Sequence, residues 1–371
     1  MVDKKLFTAI ATLTGTVIGA GFLGIPYVIA KSGFLIGTVH MIIICIMMML
    51  INLALGEIIL SSKKQQQLPG YVSKYLGKKT KIIVFIASLI GFYAALLAYI
   101  IGQGQSISFI LFNSTNHAFT ISIIFWVLMA LITFKGIKEF KKIEPLGVAG
   151  IFLVTLILGI INFNKISITN LATTNPSFLF LPFGVTLFAF LGVSSIPEIK
   201  RVLQKNTKLM KKSIIIGSLI PLVVYLIFTA VVIGLHGNAI AQVAAISLGK
   251  IITLLGILTM FTAFLALSLA LQDTYRFDFG LKFKSAWLLG IAIPLILFIP
   301  ISLFNLAGFV KVLSIGGSVA GGLLGISILL AHEHLKNQKL ERKPEYKINI
   351  PLMIKIVFIV LFVVGIIYEF L

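Results

Sequence analysis

Apolar residues run along this chain in long blocks separated by short polar connections. Eleven blocks can be drawn, at about 5–31, 34–61, 82–112, 119–135, 145–163, 178–199, 213–235, 243–272, 285–304, 306–331 and 351–371. A bilayer core is about 30 Å thick and takes about 20 apolar residues in a helix, so each block predicts a spanning helix. Two blocks carry an internal break. The first holds G-F-L-G-I-P at 21–26, and the sixth holds G-V-S-S-I-P at 192–197. Gly and Pro are poor residues for a helix interior, and each break lies 12–16 residues into its block. At 1.5 Å per residue that is about 18–24 Å, near the midplane of a tilted helix.

The two breaks share the form Gly-x-x-small-Ile-Pro and lie 171 residues apart, close to half the chain. Five spans separate them, so the two broken spans cross in opposite directions. Paired breaks in halves of inverted topology are the best sequence pointer to a transporter binding site. The eleventh span falls outside the repeat. The connections are short. The longest, near 62–81, contains L-P-G-Y-V-S-K-Y-L-G, whose apolar and basic positions alternate at helical spacing. It reads as a short helix on the inner membrane surface or as a solvated basic loop.

Composition agrees with the pattern. The chain has 371 residues, 59% of them hydrophobic and 11% charged, against roughly 25% charged in a soluble domain. No cleavable leader is expected, because the first block is too long and continues through its break. Cys45 is the single cysteine, so an intramolecular disulfide is excluded. The net charge of +20 first suggests nucleic acid. Its distribution argues for topology instead. With the amino terminus inside, all but Lys31, Lys165, Lys250 and Lys311 of the 31 Lys and Arg residues fall on the inner side. Such asymmetry in short loops orients membrane proteins. It predicts a cytoplasmic amino terminus and, after eleven spans, a carboxyl terminus outside.

A break at the midplane leaves backbone N–H and C=O groups that hydrocarbon cannot satisfy. It also exposes a helix N-terminus with partial positive charge and a C-terminus with partial negative charge. Together they suit a zwitterion, with a carboxylate on the N–H end and an ammonium on the C=O end. Free carbonyls also suit Na⁺. The rest of the membrane interior offers little charge. Ten of the 11 carboxylates map to cytoplasmic ends or loops, and Glu369 maps to the outer end. The five His residues also sit at span ends or in loops. No cluster has metal-ligand spacing and no Ser-His-Asp arrangement can be proposed, so a membrane enzyme is not expected. The site must be built from backbone, hydroxyls and aromatic rings. The pair Gly15 and Gly19 also fits simple close helix packing. So does the run Gly316, Gly317, Gly321, Gly322 and Gly325, which has neither a repeat partner nor a Pro.

The stretch T-G-T-V-I-G-A-G-F-L-G-I-P-Y (14–27), followed by A-K-S-G-F (30–34), resembles the first span of amino acid permeases. These belong to the amino acid–polyamine–organocation superfamily. G-E-I-I-L (56–60) with Q-L-P-G-Y-V-S-K-Y-L-G-K (67–78) resembles the second span and the loop after it, and F-A-F-L-G-V-S-S-I-P-E (188–198) the sixth-span signature. F-T-A-F-L-A-L-S-L-A-L-Q-D (261–273) is similar to the eighth span of the aromatic and hydroxy amino acid permeases. The resemblance covers nearly the whole chain. It implies an all-α membrane protein with the leucine-transporter-like fold, a 5+5 inverted repeat whose first and sixth helices are broken, plus an eleventh helix. The repeats are expected at 1–163 and 164–334, with the cytoplasmic loop and last helix at 335–371.

By this resemblance Thr16, Ile18, Gly19, Ala20 and Gly21 match the unwound first-span segment that binds the substrate's carboxylate and amino group. Phe188, Ala189, Phe190, Leu191 and Gly192 match its sixth-span counterpart, with Phe190 placed as an aromatic lid. Tyr93 is expected to face the site, ahead of Tyr99. The sodium site of the fold implies carbonyls of Gly15 and Ile18 with hydroxyls of Thr259 and Thr262. Residue 263 is Ala where sodium-coupled members carry a second hydroxyl, and the fifth span lacks the Lys of some proton-coupled relatives. Coupling to Na⁺, to H⁺ or by exchange is therefore open. The expected function is secondary active transport of neutral, apolar or aromatic, L-amino acids across the cell membrane by alternating access, with no cofactor beyond the coupling ion. The partners expected are the amino acid and membrane lipid, not nucleic acid. The alternatives are a non-transporting amino acid sensor and an ion transporter on the same fold.

Overall fold

The computed structural model describes residues 2–63, 66–135, 144–336, 338 and 340–371. Lys64, Lys138, Glu139, Lys141, Lys142 and Lys339 lie outside the described residues, as do the side chains of Asp3, Ala20, Glu144 and Asp278. Among the described residues the regular structure is helical throughout, with no strand. The first predicted span is α1 (Val2–Val17), a short 3₁₀ helix (Ala20–Gly24) and α2 (Ile25–Ser32). The chain bends by 43° at this break. It then continues through α3 (Phe34–Leu60), α4 (Leu68–Leu76), α5 (Lys78–Phe112), α6 (Ala118–Lys135) and α7 (Glu144–Ile161). A single turn, α8 (Ile168–Leu171), precedes the second broken span, α9 (Leu181–Ala189) and α10 (Ile196–Leu203). After it come α11 (Met210–His236), the turn α12 (Ala244–Ser247), α13 (Lys250–Phe279) and α14 (Phe283–Leu303). The chain closes with α15 (Phe309–Ile315), a π-helical stretch (Gly316–Gly321), α16 (Gly322–Lys336) and α17 (Leu352–Tyr368).

Among the described residues eight helices are long and apolar enough to cross a membrane, and the bent α1–α2 pair, taken as one span, makes up to nine. The predicted spans at 145–163 and 351–371 appear as shorter apolar helices, Phe152–Ile161 and Leu352–Tyr368. Many outward-facing side chains are apolar, such as Ile124, Leu128 and Leu131 on α6 and Val357, Val360 and Ile367 on α17. That is the surface hydrocarbon requires, because lipid tails solvate such side chains and nothing polar there would find a partner.

The four half-helices of the broken spans pair crosswise, α1 on α10 and α2 on α9. Around them α11 packs on α1, α2 and α3, and α5 packs on α13. Tight turns depend on local chemistry. Between α2 and α3, Gly33 has φ +89°, and a methyl group there would lie 2.5 Å from the Thr173 carbonyl oxygen, so only glycine fits.

The 68–76 stretch, whose sequence fits a membrane-surface helix or a loop, is a helix, and its apolar residues Leu68, Tyr71, Val72 and Tyr75 are buried against α5 and α16. The apolar face therefore meets protein rather than lipid. The glycine run of the tenth span is a packing surface. A methyl group on Gly317 would lie 1.9 Å from the Gly184 carbonyl oxygen, and one on Gly325 2.6 Å from the Phe362 ring. The close approach coincides with the π-helical stretch, the kind of widened turn that recurs at functional sites.

Charged groups at the span ends tie the last helix in place. On the side that carries the amino terminus, Glu57 of α3 accepts from His332 Nε2 at 3.1 Å and from the Ile348 backbone N–H at 2.8 Å. Lys355 of α17 reaches His332 Nδ1 at 3.1 Å and Glu333 at 2.6 Å. At the other end of α17, buried Glu369 accepts from Lys311 at 3.0 Å and Ser318 at 3.2 Å, and from Ser314. The segment before α17 runs beneath α3 as a strap. Tyr346 donates to the Leu53 carbonyl at 2.8 Å, in room left by Gly56. Burial and the Glu57 charge push its hydroxyl pKa up. Further along the strap, Glu341 pairs with Lys74 of α4 at 2.9 Å.

Candidate functional site

The two breaks meet. A methyl group on Gly21 would come within 2.9 Å of the Phe188 ring and 3.3 Å of the Ala189 Cα. One on Gly192 would lie 2.6 Å from Leu13 and 2.9 Å from Val17. Each glycine of one break thus touches the other broken span. Neither break uses a left-handed glycine, since Gly19 has φ −89° and ψ −166° and Gly192 has φ −110° and ψ 5°. The glycines provide room, not an unusual backbone.

Backbone groups behave as broken helices require. The Ile18 N–H still reaches the Thr14 carbonyl at 2.7 Å, and the Gly19 N–H turns back to the Val17 carbonyl at 2.8 Å. The helix that resumes at Ala20 has no side-chain cap at Gly19, so its first N–H groups are open to a ligand. In the second break Phe190 donates to the Thr186 carbonyl at 3.0 Å and Leu191 to the Phe188 carbonyl at 3.1 Å. Ser195 closes onto the Gly192 carbonyl with both its N–H and its hydroxyl, at 3.1 and 2.8 Å.

One face of α1 leads to the break. It carries Thr8, Thr12, Gly15 and Thr16, at the i, i+4, i+7, i+8 spacing of a single helix face. Thr16 is exposed, and its hydroxyl turns to the Thr12 carbonyl at 2.9 Å. A methyl group on Gly15 would meet nothing within 4 Å. Close helix packing does not explain that glycine. Past the break the site is shut by aromatic rings. Phe22 stacks on Tyr225 with centroids 5.8 Å apart, Phe190 meets Tyr225 edge-on at 5.1 Å, and Phe22 meets Phe228 at 5.1 Å. All four rings are at most 2% exposed. The first-span face thus reaches the surface at Thr16, and the rings beyond the break are buried.

Most of the sequence-derived residues converge here. Ile18, Ala189 and Phe190 are buried at the junction, and Phe188 is wedged between Gly21 and Gly316. Leu191 faces Gly321 of the π-helical stretch. The two tyrosines exchange rank. The Tyr93 hydroxyl turns away, toward Tyr275 at 2.6 Å and the Leu289 carbonyl at 3.3 Å. Tyr99 is the tyrosine at the break, its hydroxyl 3.5 Å from where a Gly19 methyl group would stand. Their separation of six positions turns α5 by about 600°, which leaves them about 120° apart around the helix, so they point to different faces. The threonines that the family resemblance would assign to sodium bond within their own helix. Thr259 donates within its own helix to Gly256 at 2.9 Å, and Thr262 to Thr259 at 3.0 Å. Ala263 of α13 is buried.

Two residues were missed. Asn52 of α3 lies against Gly192, and its amide oxygen is buried with no hydrogen-bond partner among the described residues. Tyr225 of α11 donates to the Val17 carbonyl at 2.7 Å and reaches the Ala189 carbonyl at 3.1 Å. Each is a polar residue deep in an apolar span, the signal that could have found it. A separate cavity of about 640 Å³ lies between α4 and the start of α5, lined by Gln67, Lys74, Lys81 and Phe85. It belongs to the surface on the amino-terminal side and not to the breaks.

Known proteins resemble the chain over the same region. Residues 2–369 match the profile of the tryptophan/tyrosine permease family. Glutamine transporter 2 of Aliivibrio fischeri is 25% identical over 72% of this chain and 74% of its own length. Tyrosine-specific transport system 1 of Haemophilus influenzae is 27% identical over 58% of this chain and 54% of its own length. Tyrosine-specific transport system 2 of the same organism is 25% identical, over 62% and 58% respectively.

Proposed function

The chain belongs to the tryptophan/tyrosine permease family, and we propose that it carries neutral, apolar or aromatic, L-amino acids across the cell membrane by alternating access. The observation that carries this reading is the meeting of two broken spans at one level, with buried rings stacked beyond the first break. Relatives of this family are transporters and not enzymes.

In this reading the substrate lies across Thr16, Ile18, Gly19, Ala20, Gly21, Phe188, Ala189, Phe190, Leu191 and Gly192. Its carboxylate takes the N–H groups where the helix resumes at Ala20, and its ammonium takes the carbonyl ends of α1 and α9. Tyr99 borders it and Phe190 covers it. Crosswise pairing of the half-helices supports an inverted repeat of 1–163 on 164–334, with 335–371 as an appended helix. The basic charge supports a cytoplasmic amino terminus and an outer carboxyl terminus.

The relatives' names divide between an aromatic and an amide side chain. The unpartnered Asn52 amide oxygen favours testing the amide, since a carboxamide N–H could satisfy it. Uptake of labelled neutral amino acids, tyrosine, tryptophan and glutamine among them, into proteoliposomes tests the function. Sodium and proton gradients varied separately identify the coupling ion. Failure of every neutral amino acid to be transported or bound overturns the reading.

A further inference from the structure

We propose that the Tyr225 hydroxyl is a built-in stand-in for the substrate's ammonium, satisfying the carbonyl ends of both broken spans whenever no substrate does. The inference rests on the transport reading above and names the residue that allows the unloaded protein to change orientation.

Val17 is the last residue of α1 and Ala189 the last of α9. The final carbonyls of a helix lack an intrahelical partner and carry its partial negative charge. Two such ends from two different broken spans converge on one side chain, at 2.7 and 3.1 Å from the Tyr225 oxygen. Tyr225 is 0% exposed, so water does not reach these carbonyls in its place. A phenol has one proton. At any instant it donates to one carbonyl and leaves the other underserved. The Val17 carbonyl has a second donor in the Gly19 N–H at 2.8 Å, and the Ala189 carbonyl depends on Tyr225.

An ammonium brings three donors and a full charge to the same two acceptors. Charge-assisted hydrogen bonds are roughly twice as strong as neutral ones, so a substrate amino group displaces the hydroxyl from them. The exchange is reversible because the ring cannot wander far. Phe22 and Phe190 hold it at centroid distances of 5.8 and 5.1 Å, on a helix packed against α1, α2 and α3. Tyr225 is therefore a positioning residue. It is needed when the carrier returns unloaded and dispensable when an amino acid is bound. The ligand class it selects for is a primary α-amine.

Two transport modes separate these demands. Net uptake requires the unloaded protein to return, whereas exchange of internal for external amino acid uses loaded protein in both directions. In Tyr225→Phe proteoliposomes, net uptake should fall about three- to tenfold, the loss of one buried hydrogen bond. Exchange should remain within about twofold of the unsubstituted protein, and half-saturation in exchange should be unchanged or lower. A merely structural role would depress both modes together. Folding is checked first by elution as a single species and by the unfolding midpoint. Tyr225→His, which keeps a ring donor, runs alongside and should hold net uptake closer to the unsubstituted protein than Phe does. Equal loss of both modes in folded protein, or full net uptake in Tyr225→Phe, overturns the proposal. If the unsubstituted protein performs neither mode with any neutral amino acid, it is the transport reading that fails.

Discussion

The glycines of the breaks divide into two classes, and single methyl groups can tell them apart. A methyl group on Gly19 would stand 3.5 Å from the Tyr99 hydroxyl and 3.9 Å from the Thr16 carbonyl, which is ordinary contact. The Gly19 backbone is extended, a conformation any residue adopts. Gly19→Ala should therefore change stability by no more than about 0.5 kcal/mol. Gly15 lies inside α1 with open space beside it, so Gly15→Ala should stabilise by about 0.5–1 kcal/mol. At Gly21 the methyl group meets an aromatic ring at 2.9 Å and backbone at 3.3 Å, and at Gly192 two aliphatic side chains at 2.6 and 2.9 Å. Overpacking of this kind costs about 1–3 kcal/mol. The assay is the unfolding midpoint of each purified variant beside its uptake rate per folded protein. Gly19→Ala should keep its midpoint and lose most uptake, because the methyl group occupies the gap between backbone and Tyr99 where the proposed function puts the substrate's polar end. Gly21→Ala and Gly192→Ala should lose midpoint. Bulky substitution at Gly21 or Gly192 thus cannot separate binding from packing, although both glycines face the break. Normal uptake by Gly19→Ala, or a midpoint loss there as large as at Gly21, would refute the reasoning.

Other expectations follow from the charged ends and the strap. Glu57→Ala leaves the buried His332 Nε2–H and the Ile348 N–H without their acceptor, and should cost about 1–3 kcal/mol by unfolding midpoint, with Glu57→Gln costing less because it keeps an acceptor. Tyr346→Phe removes the bond to the Leu53 carbonyl and should cost about 1 kcal/mol by the same measurement. Lys74 and the Lys63 backbone N–H hold the Glu341 carboxyl below its ordinary pKa, so its folded state favours the ionised form. Its contribution is complete above the ordinary carboxylate pKa of about 4.3 and is lost as pH falls through the lower folded value. Backbone hydrogen exchange in 340–350 should rise over that acid range and at high salt, and exchange indifferent to both would remove the tether. With Cys45 buried, cysteines at Lys4 and Phe370 should react with an impermeant maleimide from opposite faces of the membrane, and labelling from one face would reject an odd number of crossings.

The helices and their breaks were legible because the bilayer imposes one rule on every span. Twenty apolar residues and a Gly/Pro interruption leave few alternatives, and the interruptions at 21–26 and 192–197 fall where the half-helices turn. The ties on α17 were not legible. Glu57, His332 and Lys355 lie far apart in sequence, and at a helix end each reads as a solvated charge. Only the packing of α3, α16 and α17 makes them a buried set. The face of α4 was ambiguous for a similar reason. Periodicity shows that a helix has an apolar side but not whether lipid or protein will cover it.

Within the site, the residue types that can line a backbone break were visible, and the partners that hold the break were not. Glycine and phenylalanine at 19–21 and 188–192 are anomalies of their own segments. Tyr225 sits in V-V-Y-L-I-F and Asn52 in L-I-N-L-A, each a lone polar residue in an apolar run whose partner the run does not reveal. A buried hydroxyl or amide in hydrocarbon costs several kcal/mol unless something answers it. Each such residue therefore asks for a partner. For Tyr225 the partners are two carbonyls that no sequence pattern marks, because every residue has one. What makes them special is that their helices stop there, and that is a property of the breaks. Had the breaks been used as a source of unpaired carbonyls, the search for a donor among the tyrosines at the same depth would have reached Tyr225 as well as Tyr93 and Tyr99. Depth alone would still not have chosen among the three, since the choice depends on which helix face each occupies.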